Sequence, residues 1–222
     1  MPRLATPAAQ DYLKALVALE PEGGGLVATT AVASRLGVSA ASATNMLKRL
    51  HAMGLVRHVP YHGAEIEDAG RRVALEVIRH HRLLETYLNE ALGMPWDEVH
   101  AEAEVLEHVI SEDLEDRIAA RLGHPTADPH GDPIPTKDGS MPEAATRTLW
   151  GLEMGVGATV RRVSDSEPGA LRYLGSAGVV PGARVEVASR APLHDGPLLV
   201  RVEGAEEPLA LSREISEGIW VD

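Results

Sequence analysis

The sequence predicts a mainly α chain: a winged helix-turn-helix over residues 1–72, a helical body over 73–123, a linker over 124–146 and a small β-rich domain over 147–222. Three observations carry this. Two short helical patterns separated by Gly37-Val38 precede a hairpin pattern. The stretch from Arg79 to His108 places four histidines and several carboxylates on two helical segments joined by Gly93-Met94-Pro95. Beyond a Pro/Gly/Asp-rich stretch, five or so short strand-like runs alternate with turns.

Thr6-Pro7 supplies a cap and a first helical residue, and Ala8, Tyr12, Leu13, Leu16 and Leu19 continue an apolar face until Pro21 and the following glycines. A short helix from about Thr30 to Leu36 follows. Ser39 caps a second helix to about Met53, with Ala43, Met46, Leu47 and Leu50 as its buried stripe and Gly54 as its stop. Ser39, Ala41, Ser42, Thr44 and Asn45 near the start of that helix, with Lys48 and Arg49 further along, are small, polar or basic types that reach base edges and phosphates in a groove. LVRHVP, a turn at Tyr61-His62-Gly63 and AEIED form the hairpin, where Arg57, His58 and His62 are candidates for phosphate or minor-groove contact and Tyr61 reads as packing.

After Asp68-Ala69-Gly70 a long helix extends through Leu92, more apolar than the small head requires, which invites a partner helix from another subunit. His81 and Glu85 are four apart on it. His100, Glu104 and His108 repeat that spacing on the next helix, with Glu107 three beyond Glu104, so each set shares one face. Imidazoles and carboxylates that converge in this way suit divalent transition metals; the plainer alternative is a solvated polar face. Asp11, early in the first helix, reads as a first-turn or surface carboxylate. Ser111 caps a further helix whose Leu114, Ile118 and Leu122 are expected to face inward. In the last domain, ATVRRVS, ARVEVASR, PLLVRVEG and EPLALS are strand-like and PGALRYLGS is a small helix, although Arg162 breaks the alternation of the first run.

Composition narrows the chemistry. The chain has no cysteine, which excludes disulfides, thiolate catalysis and iron–sulfur clusters. It has no apolar run of the ~18 to 20 residues needed to span a bilayer and begins without an apolar signal segment, so a cytoplasmic location without membrane association is expected. The net charge is −12, yet residues 1–75 carry eight Lys/Arg against six Asp/Glu while residues 76–222 carry thirteen against twenty-seven. That split is compatible with DNA contact through the head alone. No HExxH and no phosphate loop occurs, which points away from a metal-dependent hydrolase and from enzymes in general.

YLKALVALE, SRLGVSAASATNMLKRLHAMGLV, RHHRLLETYL and WDEVHAEAEVLEHVISEDLEDRIAARLGHPTADPHGDPIP, in this order, resemble the iron- and manganese-dependent repressors whose founding member is the diphtheria toxin repressor. The resemblance covers about residues 7–135. It implies a homodimer on double-stranded operator DNA, a helical metal-binding and dimerisation domain, and, as in some members, an SH3-like barrel of the FeoA type at the C-terminus; no further protein partner is predicted. It places a primary metal on Asp11, Glu104, Glu107 and His108, and a second on His81, Glu85 and His100 with Glu167 from the barrel, where Asp165 or water is the substitute. The iron-responsive branch has methionine and cysteine at the positions of Asp11 and Glu104. Carboxylates there resemble the manganese-responsive branch, so Mn(II) is favoured over Fe(II), with other divalent transition metals able to bind in vitro.

Overall fold

The computed structural model describes residues 6–21, 23–191 and 196–222. These form two compact units, Met1–His80 with Pro135–Met141, and His81–Ile134 with Pro142–Asp222.

In the first unit, α1 (Pro7–Leu19) starts where the Thr6 side chain accepts a hydrogen bond from the Ala9 amide and proline occupies the first turn. α2 (Thr29–Arg35) leads through Gly37, at φ +62°, into α3 (Ala40–Ala52), whose cap Ser39 accepts from the Ser42 amide at 3.1 Å. β1 (Val56–Val59) and β2 (Gly63–Ile66) pair antiparallel with Val56 opposite Ile66. Leu13, Leu16, Val32, Leu47 and Leu50 close the core. Two glycines are fixed by close approach: a Cβ at Gly63 would lie 2.0 Å from the Val27 carbonyl oxygen, and one at Gly70 2.1 Å from that of Leu55. Gly70 therefore lies inside α4 (Asp68–Leu92) rather than before it, because the helix must pass close to the end of α3. Tyr61, expected to pack, is instead fully exposed at the hairpin tip with φ +68°.

α4 continues into the second unit. Gly93, at φ +70°, ends it, and α5 (Val99–Leu106) and α6 (Glu112–Arg121) follow, the latter capped by Ser111 accepting from the Leu114 amide. Leu83, Leu84, Ala103, Ile110, Ile118 and Ala119 form their core. Leu114, expected inward, is 45 % exposed; Ile118 carries the burial instead. Residues 124–134, expected as linker, are packed: His130 and Ile134 are buried, and Ala127 bridges Pro133. Proline and aspartate here build a tight turn, in which the Asp128 carboxylate accepts from the amides of His130 and Asp132.

The chain then forms β3 (Arg147–Thr148), a 3-10 turn at Leu149–Gly151, β4 (Gly157–Val163), α7 (Pro168–Ser176), β5 (Arg184–Arg190), β6 (Leu198–Val202), β7 (Leu209–Leu211), α8 (Arg213–Glu217) and β8 (Ile219–Val221). The six strands make one antiparallel sheet in the order β3-β8-β4-β5-β6-β7. The irregular alternation at Arg162 is a β-bulge, where the β4–β8 register shifts between Val160 and Arg162. It turns Arg162 onto the Trp220 ring, 3.4 Å from its centroid.

Candidate metal centre

α3 presents Ser39, Ala41, Ser42, Asn45, Lys48 and Arg49 as exposed residues, with Thr44 half-buried and donating to the Ala40 carbonyl at 2.8 Å. Ser39 is occupied in the cap. Asn45, Lys48 and Arg49 are the longer exposed side chains available to a groove. Arg57 pairs across the hairpin with Glu65, so its guanidinium is already engaged in the isolated chain.

The second unit gathers the ligand types. One turn of α4 sets His81 and Glu85 on one face, and α5 brings His100 to them. Glu85 Oε1 lies 2.9 Å from His81 Nε2 and 3.1 Å from His100 Nδ1, and those two nitrogens lie 3.1 Å from each other. With Glu85 ionised, both nitrogens must be protonated to donate to it, and they then face each other at 3.1 Å with no lone pair to share a proton between them. A cation among three lone pairs satisfies all of them at once. His81 Nδ1 reaches Glu107 Oε2 at 2.6 Å and Glu104 Oε1 at 3.6 Å, and His108 Nε2 lies 3.3 Å from Glu107 Oε1. Glu85 and Glu107 are each 1 % exposed, whereas the Glu104 side chain is 43 % exposed.

Three further residues, Asp128, His130 and Asp165, stand around His81, Glu85 and His100. His130 is fully buried and its Nε2 donates to the Trp96 carbonyl at 2.7 Å, which leaves a lone pair on Nδ1. That Nδ1 makes no hydrogen bond and stands 3.9 Å from both Glu85 Oε2 and Asp128 Oδ1. An imidazole fixed through one nitrogen, with the other aimed between carboxylates, is the arrangement of a metal-ligating histidine. Asp165 closes the set, its Oδ2 3.2 Å from His100 Nδ1. Glu167 is not brought in: it is exposed at the start of α7, and Asp165, two residues earlier, takes the place expected of it.

The electrostatics match a site in which protons stand in for a cation. Burial alone would raise the Glu85 carboxyl, but hydrogen bonds from His100 and His81, with the charge of His81, hold it well below the usual carboxylate range. Asp165 is likewise raised by burial but held low by His100. His100 is pushed up to about 10 by its hydrogen bonds to Asp165 and then Glu85, against its own burial. Asp128 is pushed well above the ordinary range, first by burial and then by the charges of Glu85 and Asp132.

Three family models match in series: the N-terminal DNA-binding domain of iron-dependent repressors over residues 5–64, their metal-binding and dimerisation domain over 67–136, and the FeoA domain over 147–222. The iron-dependent repressor IdeR of Mycobacterium tuberculosis is 34% identical across 95% of this chain and 95% of its own length. The chain belongs to the diphtheria toxin repressor family. Among solved structures, a manganese-dependent transcriptional repressor in complex with manganese is 42% identical with a TM-score of 0.86, covering 96% of this chain and 98% of its own. ScaR with bound Zn2+ is 30% identical with a TM-score of 0.79 over 96% and 98%. This is a family of metal-dependent transcriptional repressors, and the six-stranded domain is its SH3-like FeoA module. Among the described residues, no helix of this family member is long and apolar enough to cross a membrane.

The ligand residues anticipated from this repressor's sequence divide between the units: Asp11 belongs to α1 in the first, and Glu104, Glu107, His108, His81, Glu85, His100 and Glu167 belong to the second. Asp128 and His130 were not anticipated. The one sequence signal for them is a histidine between two aspartates in a Pro/Gly-rich stretch, DPHGD, where composition alone suggests linker.

Proposed function

We propose that this chain is a manganese-dependent repressor of metal-uptake genes, acting in the cytoplasm as a homodimer on palindromic operator DNA. The observation that supports the metal dependence is the triangle of His81, Glu85 and His100, three ligand atoms within 3.1 Å of one another in which the two ring nitrogens face each other beside one carboxylate oxygen. The second cation set is His81, Glu85 and His100 with Asp128, His130 and Asp165. The primary set remains Asp11, Glu104, Glu107 and His108, resting on the family resemblance and on the donor types. Both are sets of oxygen and nitrogen donors without sulfur, which suits Mn(II); Fe(II) shares this preference closely enough to be the alternative.

A divalent ion bound there neutralises clustered carboxylates and fixes their directions. Asp11 is carried by the DNA-binding unit and Glu104, Glu107 and His108 by the other, so ligation by all four favours one arrangement of the two, and DNA binding and ion binding then strengthen each other. The dimer reading is supported by an apolar face in which Leu92 and Leu114 are exposed beside Leu88, Tyr87 and Leu106. In a two-fold dimer a pair of α3 helices can enter successive major grooves about 34 Å apart.

The test is operator selection with metal-stripped protein, repeated after titration with Mn(II) and, anaerobically, with Fe(II). Specific binding that appears at lower free Mn(II) than free Fe(II) is the expected result, and Glu104→Ala should return it towards the metal-free level. Equal specific binding without metal would reject the switch.

A further inference from the structure

Around the second ligand set, the helical body meets the FeoA module through contacts that converge on Asp132. Its Oδ1 accepts from Arg82 Nη2 of α4 at 3.2 Å and from Arg162 Nη1 of β4 at 2.9 Å. The face of the Arg162 guanidinium lies on Trp220, and its Nε is buried without a hydrogen bond, so the burial of this cation is carried by Asp132 and the ring. Beside it the Val163 amide donates to the His130 carbonyl at 2.8 Å. Gly131, at φ +90°, presses on the same strand so closely that a Cβ would lie 2.0 Å from the Arg161 carbonyl oxygen. Asp165 stands two residues past the end of β4 and reaches His100.

We propose that Arg162 is a positioning residue for the second cation set: by fastening β4 to Asp132 it holds Asp165 at His100 and Glu85, so that ion occupancy and docking of the FeoA module stabilise each other. The inference rests on the reading of Glu85, His100 and Asp165 as ligands. Arginine fits the geometry better than lysine. One edge of its planar fork meets Asp132 while its face covers Trp220, two contacts that a lysine ammonium cannot make together. Asp132 in turn links Arg162 to α4, the helix that carries His81 and Glu85. A displacement of Arg162 is thereby a displacement of the ligands from both sides. Coupling of this kind is reciprocal, so a bound ion must also hold the module.

The experiment uses full-length protein, with free Mn(II) followed by electron paramagnetic resonance during titration and amide exchange read at Val163. Asp165→Ala should weaken one class of Mn(II) sites. Arg162→Met, which keeps an apolar stem on Trp220, should weaken the same class by about 10–100-fold, the size of effect that outer-shell partners have on metal sites, and leave the other class unchanged. The Val163 amide should exchange faster in that variant, and in the parent Mn(II) should slow it. Arg162→Lys should recover part of the affinity, and Asp132→Asn should reproduce the weakening if Arg162→Met fails to fold. Weakening by Asp165→Ala with Mn(II) affinities unchanged in Arg162→Met would overturn the clamp while leaving the ligand assignment intact. If Asp165→Ala itself moves neither class, the ligand assignment fails and the clamp with it.

Discussion

The two units bury different chemistry. In the first the interior is closed by Leu13, Leu16, Val32, Leu47 and Leu50, and His80 is its one buried polar side chain among the described residues. In the second, Glu85, Glu107, Glu115, Asp128, His81 and His130 are all buried alongside its own apolar clusters. An apolar interior is stabilised by removal from water alone, whereas buried carboxylates and imidazoles carry a desolvation cost that pairing offsets only where geometry allows. The DNA-reading head is therefore built to fold without an ion. The body is built around buried ionisable groups whose burial must be offset by pairing or by a ligand.

The strongest way to break this comparison is Leu47→Ala, at a fully buried position of the head. It should cost about 2–5 kcal/mol of stability, read by denaturant unfolding, and leave Mn(II) affinity at the second set unchanged. A parallel loss of Mn(II) affinity would mean that the head and the second set are not separable in this way.

The pH dependence sharpens it. His100, pushed up to about 10 by Asp165 and Glu85, is protonated at pH 7. As a ligand it must shed that proton, so Mn(II) binding at the second set should release about one proton and tighten about tenfold, or 1.4 kcal/mol, per pH unit above 7. Calorimetry in buffers of different ionisation enthalpy counts the proton; none released would remove His100 from the set. In the metal-free protein the signs differ by group. The stabilisation from His100 is complete below its ordinary value of about 6.5 and is lost as pH rises through about 10. That from Glu85 and Asp165, held low, is present above about 4 and lost in acid.

The same contrast decides what was legible in the sequence. The head is local: a cap at Ser39, a stripe at Leu47 and Leu50 and a stop at Gly54 lie within one helix and its ends, and the observed α3 differs from expectation by one residue at its C-terminus. His81, Glu85 and His100 were legible for the same reason, since helical spacing puts His81 and Glu85 on one face. Asp128, His130 and Asp165 were harder because no periodicity carries them. The first two occupy a turn whose prolines mimic a linker, and the third follows a bulged strand. β3, two residues long, is held by pairing of Arg147 with Val221 near the far end of the chain, and β8, three residues long, lies between β3 and β4, so neither is marked by local pattern. Gly70 was misplaced because its small size serves close packing on Leu55 rather than a turn, and packing across elements leaves no mark on local pattern.

The smallest effect separates two neighbours on α3 that look alike in sequence. The Ser39 hydroxyl accepts from the Ser42 amide and donates to the Ser42 hydroxyl, so it is engaged in holding the helix start. Asn45 is exposed six residues later. Ser39→Ala should lower stability by about 1 kcal/mol and weaken operator and random DNA alike. Asn45→Ala should leave stability within about 0.5 kcal/mol and lower the preference for operator over random DNA about fivefold, the low end of what one side chain's base contact contributes. Thermal unfolding and paired binding curves with Mn(II)-loaded protein read both. If Ser39→Ala were the variant that lost discrimination, the helix start would be reading bases through its cap, and the head would have no division between the residues that fold it and those that read DNA.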